Sequence, residues 1–376
     1  MPRDNDLLHL RPNSQHHRWL ALRTGLPEPR RPGRNSKPRP RTGIIAAVLG
    51  AALGCAGCQA HTGASTVAAP GQPAAQTQAG PSPAAGEHKE SIFATFVLRL
   101  RDGQTGAPLA AEAFTERLRA AQVVYVGERH NSRSSHAAQL RVLEQVYALA
   151  KEIAVGIEML PRTLQPQLDS YLAGRMDTAD FLAAVDWDNT WGFDFALYQP
   201  LFEFCKNHGV PMYALNAPRD LAKAVRQRGV AGLTASERSA LPSGYPWPAP
   251  EAHRIAIEHV FARHSFGDEA KRTPEERRAA FDRFYAAQLV WDESMAQGVV
   301  ELLGRAQTPP RRVVVLAGTG HVGRFAIPAR AARRGVKAGL AIGPVDEASE
   351  DPPSESGANA ADAVDVQVVL PAPAVR

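Results

Sequence analysis

Cysteine is scarce in this chain: three residues in 376, at positions 55, 58 and 205. Only Cys205 falls where the chain is patterned to fold, so no disulfide can brace that part, and its apolar surroundings read as inert core. Long hydrophobic runs are missing too. Thr42–Gly54 is uncharged but far short of the roughly 20 residues that a membrane-spanning helix needs. No internal repeat is visible, which excludes solenoids and propellers. A basic folded part is also lacking. The first 42 residues hold ten Lys/Arg against three Asp/Glu; taking them from the chain's 43 and 38 leaves 33 against 35. The basic pI therefore belongs to the leader, and nucleic acid is excluded as a partner.

What the leader does contain is informative. Residues 1–42 are rich in Arg and Pro without apolar periodicity, which predicts disorder. A positive flank, a short apolar core and small residues before a break make a secretory signal. The break is Cys55-Ala56-Gly57-Cys58, and Ala-Gly ahead of Cys58 resembles a bacterial lipobox. Cys55, with Leu53-Gly54 before it, fits less well. A redox or zinc CxxC would need a second half, and there is none. Residues 1–57 thus read as basic lead plus lipoprotein signal, with Cys58 as the lipidated residue. Residues 58–90, made of Ala, Gly, Pro, Gln, Ser and Thr, read as a flexible tether. Gln59 in place of Asp favours the outer membrane, facing the periplasm, so the membrane is a partner through a lipid anchor.

From residue 91 to 345 the pattern is strand, helix, strand. Val123–Val126, Ile153–Glu158, Val210–Asn216, Val313–Leu316 and Val336–Ile342 are β-branched or apolar runs suited to strands buried on both faces. Helical segments alternate with them, which predicts an α/β fold: a mostly parallel central sheet flanked by helices. Two amphipathic stretches outside that alternation, about 164–208 and 251–303, read as an inserted helical cap. Residues 346–376 read as a largely disordered tail, with Val364–Leu370 open between an edge strand and no structure.

Three strand ends carry chemistry. Glu128 and His130 follow the first run two positions apart, so in extended chain they point to the same side. Ser132 and its neighbours can cap a helix in which His136 and Gln139 share a face. Glu158 ends the second run. Gly318-Thr319-Gly320-His321-Val322-Gly323 follows the fourth and is formally a dinucleotide fingerprint, but Pro328 interrupts the helix it requires and no acid lies about 20 residues on. A glycine turn that projects His321 is the better reading. Parallel neighbouring strands would bring Glu128, His130, Glu158 and His321 to one edge of the sheet. That set suits a divalent transition metal or general acid–base work with Glu128, His130 and His321 as catalytic groups. The plain alternative is pairing with Arg129, Arg162 or Arg219.

Gly127-Glu128-Arg129-His130 with His136 and Gln139, Gly156-Ile157-Glu158-Met159, Trp187 and Trp191-Gly192, Ala214-Leu215-Asn216 with Arg219, and Gly318-Thr319-Gly320-His321-Val322 together resemble the ChaN-like haem-binding lipoproteins. These belong to a superfamily that includes Tiki and TraB proteins and the erythromycin esterases. The resemblance implies an α/β core with a helical cap, haem as cofactor, a haem or iron complex as partner in iron uptake, and a homodimer among its assemblies. It equally implies a rival activity, a metal-dependent hydrolase of protease or esterase type using manganese, cobalt or zinc at the four strand-end residues. A haem slot needs an apolar wall and an axial His, Tyr or Met. On the helices of the cap, His253, His264, Tyr285 and Met295 are the candidates.

Overall fold

The computed structural model describes residues 92–246, 249–263, 273–304, 312–347 and 364–371. The leader, the tether, Cys55, Cys58 and His264 lie outside these residues, as does most of the tail. Among the described residues no helix is long and apolar enough to cross a membrane.

Seven strands form one sheet: β1 (Leu100–Asp102), β2 (Val123–Glu128), β3 (Ile153–Pro161), β4 (Met212–Asn216), β5 (Arg312–Gly318), β6 (Gly339–Asp346) and β7 (Val366–Leu370), in the order β1-β7-β6-β2-β5-β3-β4. All neighbours are parallel except β1 and β7. Strand alternation splits each run between two cores, as period-two geometry requires. Val124 and Val126 of β2 face one layer with Leu143, Trp187 and Phe202. Val123 and Tyr125 face the other with Met295, Val299 and Ile327.

The helices sort accordingly. On the first face lie α1 (Ala111–Ala120), α2 (Arg133–Leu149), α3 (Gln165–Leu172), α4 (Thr178–Ala184), the single turn α5 (Trp187–Thr190) and α6 (Gln199–His208). After β4 come α7 (Arg219–Arg228) and the short α8 (Ala235–Ser239). Then α9 (Glu251–Arg263) packs on the long α10 (Pro274–Leu303), and α10 covers the second face together with α12 (Ile327–Arg333). A single turn, α11 (Thr319–Val322), follows β5.

Two sequence expectations need correction. The segments expected to form one cap lie on opposite faces of the sheet, because α6 contributes Leu201 and Phe202 to one core while α10 contributes Met295 and Val299 to the other. The tail also contains more order than expected. All five residues of β7 are buried, and β7 sits between β6 and β1 rather than at the edge.

The topology creates the crevice that matters. Although β3 follows β2 in sequence, β5 lies between them, with Glu128 in register with Gly318 and Ile157 with Leu316. The helix after β2 goes to one face, and the helix that carries β5 onward to β6 goes to the other. Adjacent strands whose connections leave in opposite directions open a gap at their carboxyl ends, where ligands of open α/β sheets bind.

Candidate functional site

The carboxyl ends of β2, β5 and β3 meet at a cavity of about 590 Å³ lined by His130, Glu158 and His321. Glycine at the tip of β5 permits the approach. A Cβ on Gly318 would stand 2.6 Å from His130 Cε1 and 3.5 Å from Glu158 Oε2. Instead, the Gly318 amide donates to Glu158 Oε2 at 2.6 Å.

His130 is held from behind. Its Nδ1 donates to Glu128 Oε1 at 2.5 Å, and Glu128 is sealed from solvent and from the cavity. Beneath the pair, α2 starts with Ser132, whose hydroxyl accepts from the Ser135 amide. That start places buried His136 with Nε2 3.7 Å from Glu128 Oε2 and 3.3 Å from the His130 carbonyl, which also accepts from the Tyr198 hydroxyl. Gln139 donates to the Val126 carbonyl and lies 3.3 Å from His136 Nδ1. Burial works against charge on His130, but the Glu128 hydrogen bond and charge, with Glu158 behind them, raise its pKa. Burial lowers that of His136, with Glu128 only partly opposing.

His321 is held from the opposite face of the sheet. Its Nδ1 donates to Asp292 Oδ1 at 2.7 Å, and its Nε2 lies 3.4 Å from Glu158 Oε1. Burial disfavours the imidazolium, yet Glu158 and Asp292 outweigh it and push the pKa to about 9. Asp292 is 1% exposed. Burial alone would raise its pKa, but Arg330, His253 and His321 together hold it well below the usual carboxylate range. Beyond it, His253 Nε2 lies 3.3 Å from Asp292 Oδ2, and His253 Nδ1 is 3.1 Å from the Tyr285 hydroxyl.

The four strand-end residues therefore gather at one edge, as two braced imidazoles with Glu158 between them. They do not form a divalent-metal set: among the described residues, no group of three or more His, Cys, Asp or Glu side chains is arranged to hold an ion. Two of the three arginines that could have neutralised these residues are engaged elsewhere. Arg129 pairs with Asp346 and Arg162 with Glu301, while Arg219 lines the cavity. Of the haem candidates, His253 and Tyr285 belong to the network behind His321, and Met295 is completely buried in the second core. None of the three lines the cavity.

Trp187 is core, its Nε1 donating to the Phe193 carbonyl at 2.7 Å. Trp191 is cavity wall and stands edge-on to His130 at 4.9 Å between centroids. Trp291 lies against His321 in the same way, at 6.2 Å. Three features of these walls suit haem. The volume lies within the ~300–1,000 Å³ of ligand sites, Met159, Pro161 and Ala217 add apolar lining, and His130 has its Nδ1 fixed by a carboxylate with Nε2 left to ligate iron.

Asp292 and Trp291 were not among the residues singled out in the sequence. A signal existed: Asp292-Glu293-Ser294 sits inside a helix with apolar Val290, Met295 and Ala296 around it, which marks acids inside rather than a solvated turn.

A solved structure of ChaN from Campylobacter jejuni, with cofacial haem, aligns over 73% of this chain and 96% of that one, with TM-score 0.54 and 16% identity. An erythromycin esterase in its open conformation aligns over 75% and 85%, with TM-score 0.39 and 16% identity. The chloroplastic protein RETICULATA-RELATED 5 of Arabidopsis thaliana is 28% identical over 131 residues, 33% of this chain and 17% of that protein, so the chain spans less than a fifth of that relative's length. The family described as haem-binding uptake, Tiki superfamily, ChaN matches residues 114–331, more than half of the chain. The chain belongs to this family of ChaN-type haem-binding uptake proteins.

Proposed function

We propose that the cavity at the carboxyl ends of β2, β5 and β3 binds haem with His130 as an iron ligand, and that the protein does so in haem or iron uptake. The observation that carries the reading is the His130 imidazole, backed by buried Glu128 at Nδ1 and placed on a cavity walled by Trp191. Haem bound here supplies iron for transport or redox chemistry, and the chain's residues fix its orientation and exclude water from one side. Haemin titrated into the protein should give a saturable Soret change that His130→Ala abolishes. A wild-type spectrum in that variant overturns the ligand assignment. The homodimer implied by the family resemblance is tested by light scattering with and without haemin.

From the lipobox-like Ala56-Gly57-Cys58 and Gln59 we further propose that the protein belongs to the bacterial envelope, lipid-anchored through Cys58 on the outer membrane and facing the periplasm. Intact-mass analysis of membrane-extracted protein should find a diacylated Cys58. A soluble, unlipidated mature form refutes this, and lipid on Cys55 moves the anchor.

A second reading, hydrolysis, is favoured by one observation. His130 and His321 each present a carboxylate-backed imidazole to one cavity, an arrangement suited to paired general acid and base. Ester or peptide hydrolysis lost in both His130→Ala and His321→Ala would support it.

A further inference from the structure

One wall of the cavity is made by α7. Arg219, Lys223 and Arg226 lie at i, i+4 and i+7, one stripe of the helix, and all three line the cavity. Arg228 at the end of the same helix pairs with Glu237. Arg219 and Lys223, by contrast, have no acidic partner among the described residues. Among the described residues Glu158 is the one acid lining the cavity, and its oxygens are already committed to the Gly318 amide and to His321. Arg219 and Lys223 therefore present positive charge to the cavity without an acidic partner among the described residues.

Resting on the haem reading, we propose that this wall recognises the acid groups of the ligand: the two propionate carboxylates of haem dock on Arg219 and Lys223. Side chains four residues apart on a helix stand about 6 Å apart at Cβ, a spacing that suits two carboxylates on neighbouring short arms of one planar ligand. The guanidinium of Arg219 can take one of them in a two-pronged contact, and the Lys223 ammonium takes the other as a point charge. Apolar walls alone would leave the macrocycle free to rotate in its plane. Two fixed charges on one side set its orientation beneath His130.

The test compares haemin with its dimethyl ester, which keeps the iron and the ring but removes both negative charges. The wild-type protein should bind the ester at least tenfold more weakly, the loss expected for one charge-assisted contact. In Arg219→Ala/Lys223→Ala, haemin should weaken to the level of the ester, while the ester binds as it does to wild type. Arg219→Lys/Lys223→Arg should restore the preference for the acid form. Equal wild-type affinity for haemin and ester overturns the inference and leaves the haem reading standing, as does a double variant that still discriminates. No haemin binding to wild type at all overturns both. The acid-versus-ester comparison on unmodified protein needs no variant to fold.

Discussion

Replacing Asp292 by Asn tests the electrostatic account of the site directly. His321 is 8% exposed and its pKa stands at about 9 against an ordinary 6.5. A folded-state pKa raised above the unfolded one contributes stability that is complete below 6.5 and lost as pH rises toward 9. At roughly 1.4 kcal/mol per pH unit, the contribution is about 3 kcal/mol. Asn keeps the shape of Asp292 but removes the charge that faces His321, His253 and Arg330. Losing one partner of a buried ion network costs about 3–5 kcal/mol, so the variant should be weaker at pH 6, and its deficit should narrow toward pH 9 to the part owed to Arg330, which stays charged there. His130, also raised, adds to the same basic limb. His136 acts oppositely. Its pKa is lowered, so its stabilising effect is lost as pH falls below 6.5 and gives the curve an acid limb. Urea unfolding followed by circular dichroism at pH values from 5 to 9.5 measures all of this. A wild-type stability that is flat or rising between pH 6.5 and 9, or an Asn variant with the wild-type slope, refutes the reasoning.

Gly318→Ala should preserve the fold but expel His130 from its position, because the new Cβ would lie 2.6 Å from His130 Cε1; loss of the haemin Soret change with a native circular dichroism spectrum is the expected result. Phe202→Ala should cost about 3–5 kcal/mol in urea unfolding, since Phe202 is fully buried and packs against Trp187, Phe181 and Phe195.

Legibility varied with the range of the interaction. Strands such as Val123–Val126 and Val313–Leu316 were readable because burial on both faces demands continuous β-branched runs, a local property. The convergence of Glu128, Glu158 and His321 followed from parallel strands sharing a carboxyl edge. That β5 enters between β2 and β3 is a long-range pairing that no local pattern encodes. The same limit explains the cap. Amphipathicity reveals that α6 and α10 each have an apolar side but not which face of the sheet receives it. A five-residue valine-rich run such as β7 is ambiguous until its partners are known, and its partner β1 lies more than 260 positions earlier in the chain. The site's second layer was the least legible. His253 looked like a ligand because it sat on an apolar helix face, yet its place is 3.3 Å from Asp292 on another helix, a pairing that the pattern of neither helix encodes.

The two imidazoles are braced from opposite sides of the sheet, and this explains how a site built at loop-like strand ends can be rigid. His130 leans on Glu128 and, through it, on His136 and Gln139 of α2, on one face. His321 leans on Asp292 of α10 and His253 of α9, on the other. Each brace is buried, so rotation of either ring would strand a carboxylate without a partner in a low-dielectric interior, a cost of several kcal/mol. Strand tips thus supply the groups that meet the ligand, and the helices supply the force that keeps them there. The α7 wall shows the reverse design. Arg219 and Lys223 line the same cavity without a brace among the described residues, so under the proposal above the acid groups of the bound ligand would be what fixes them.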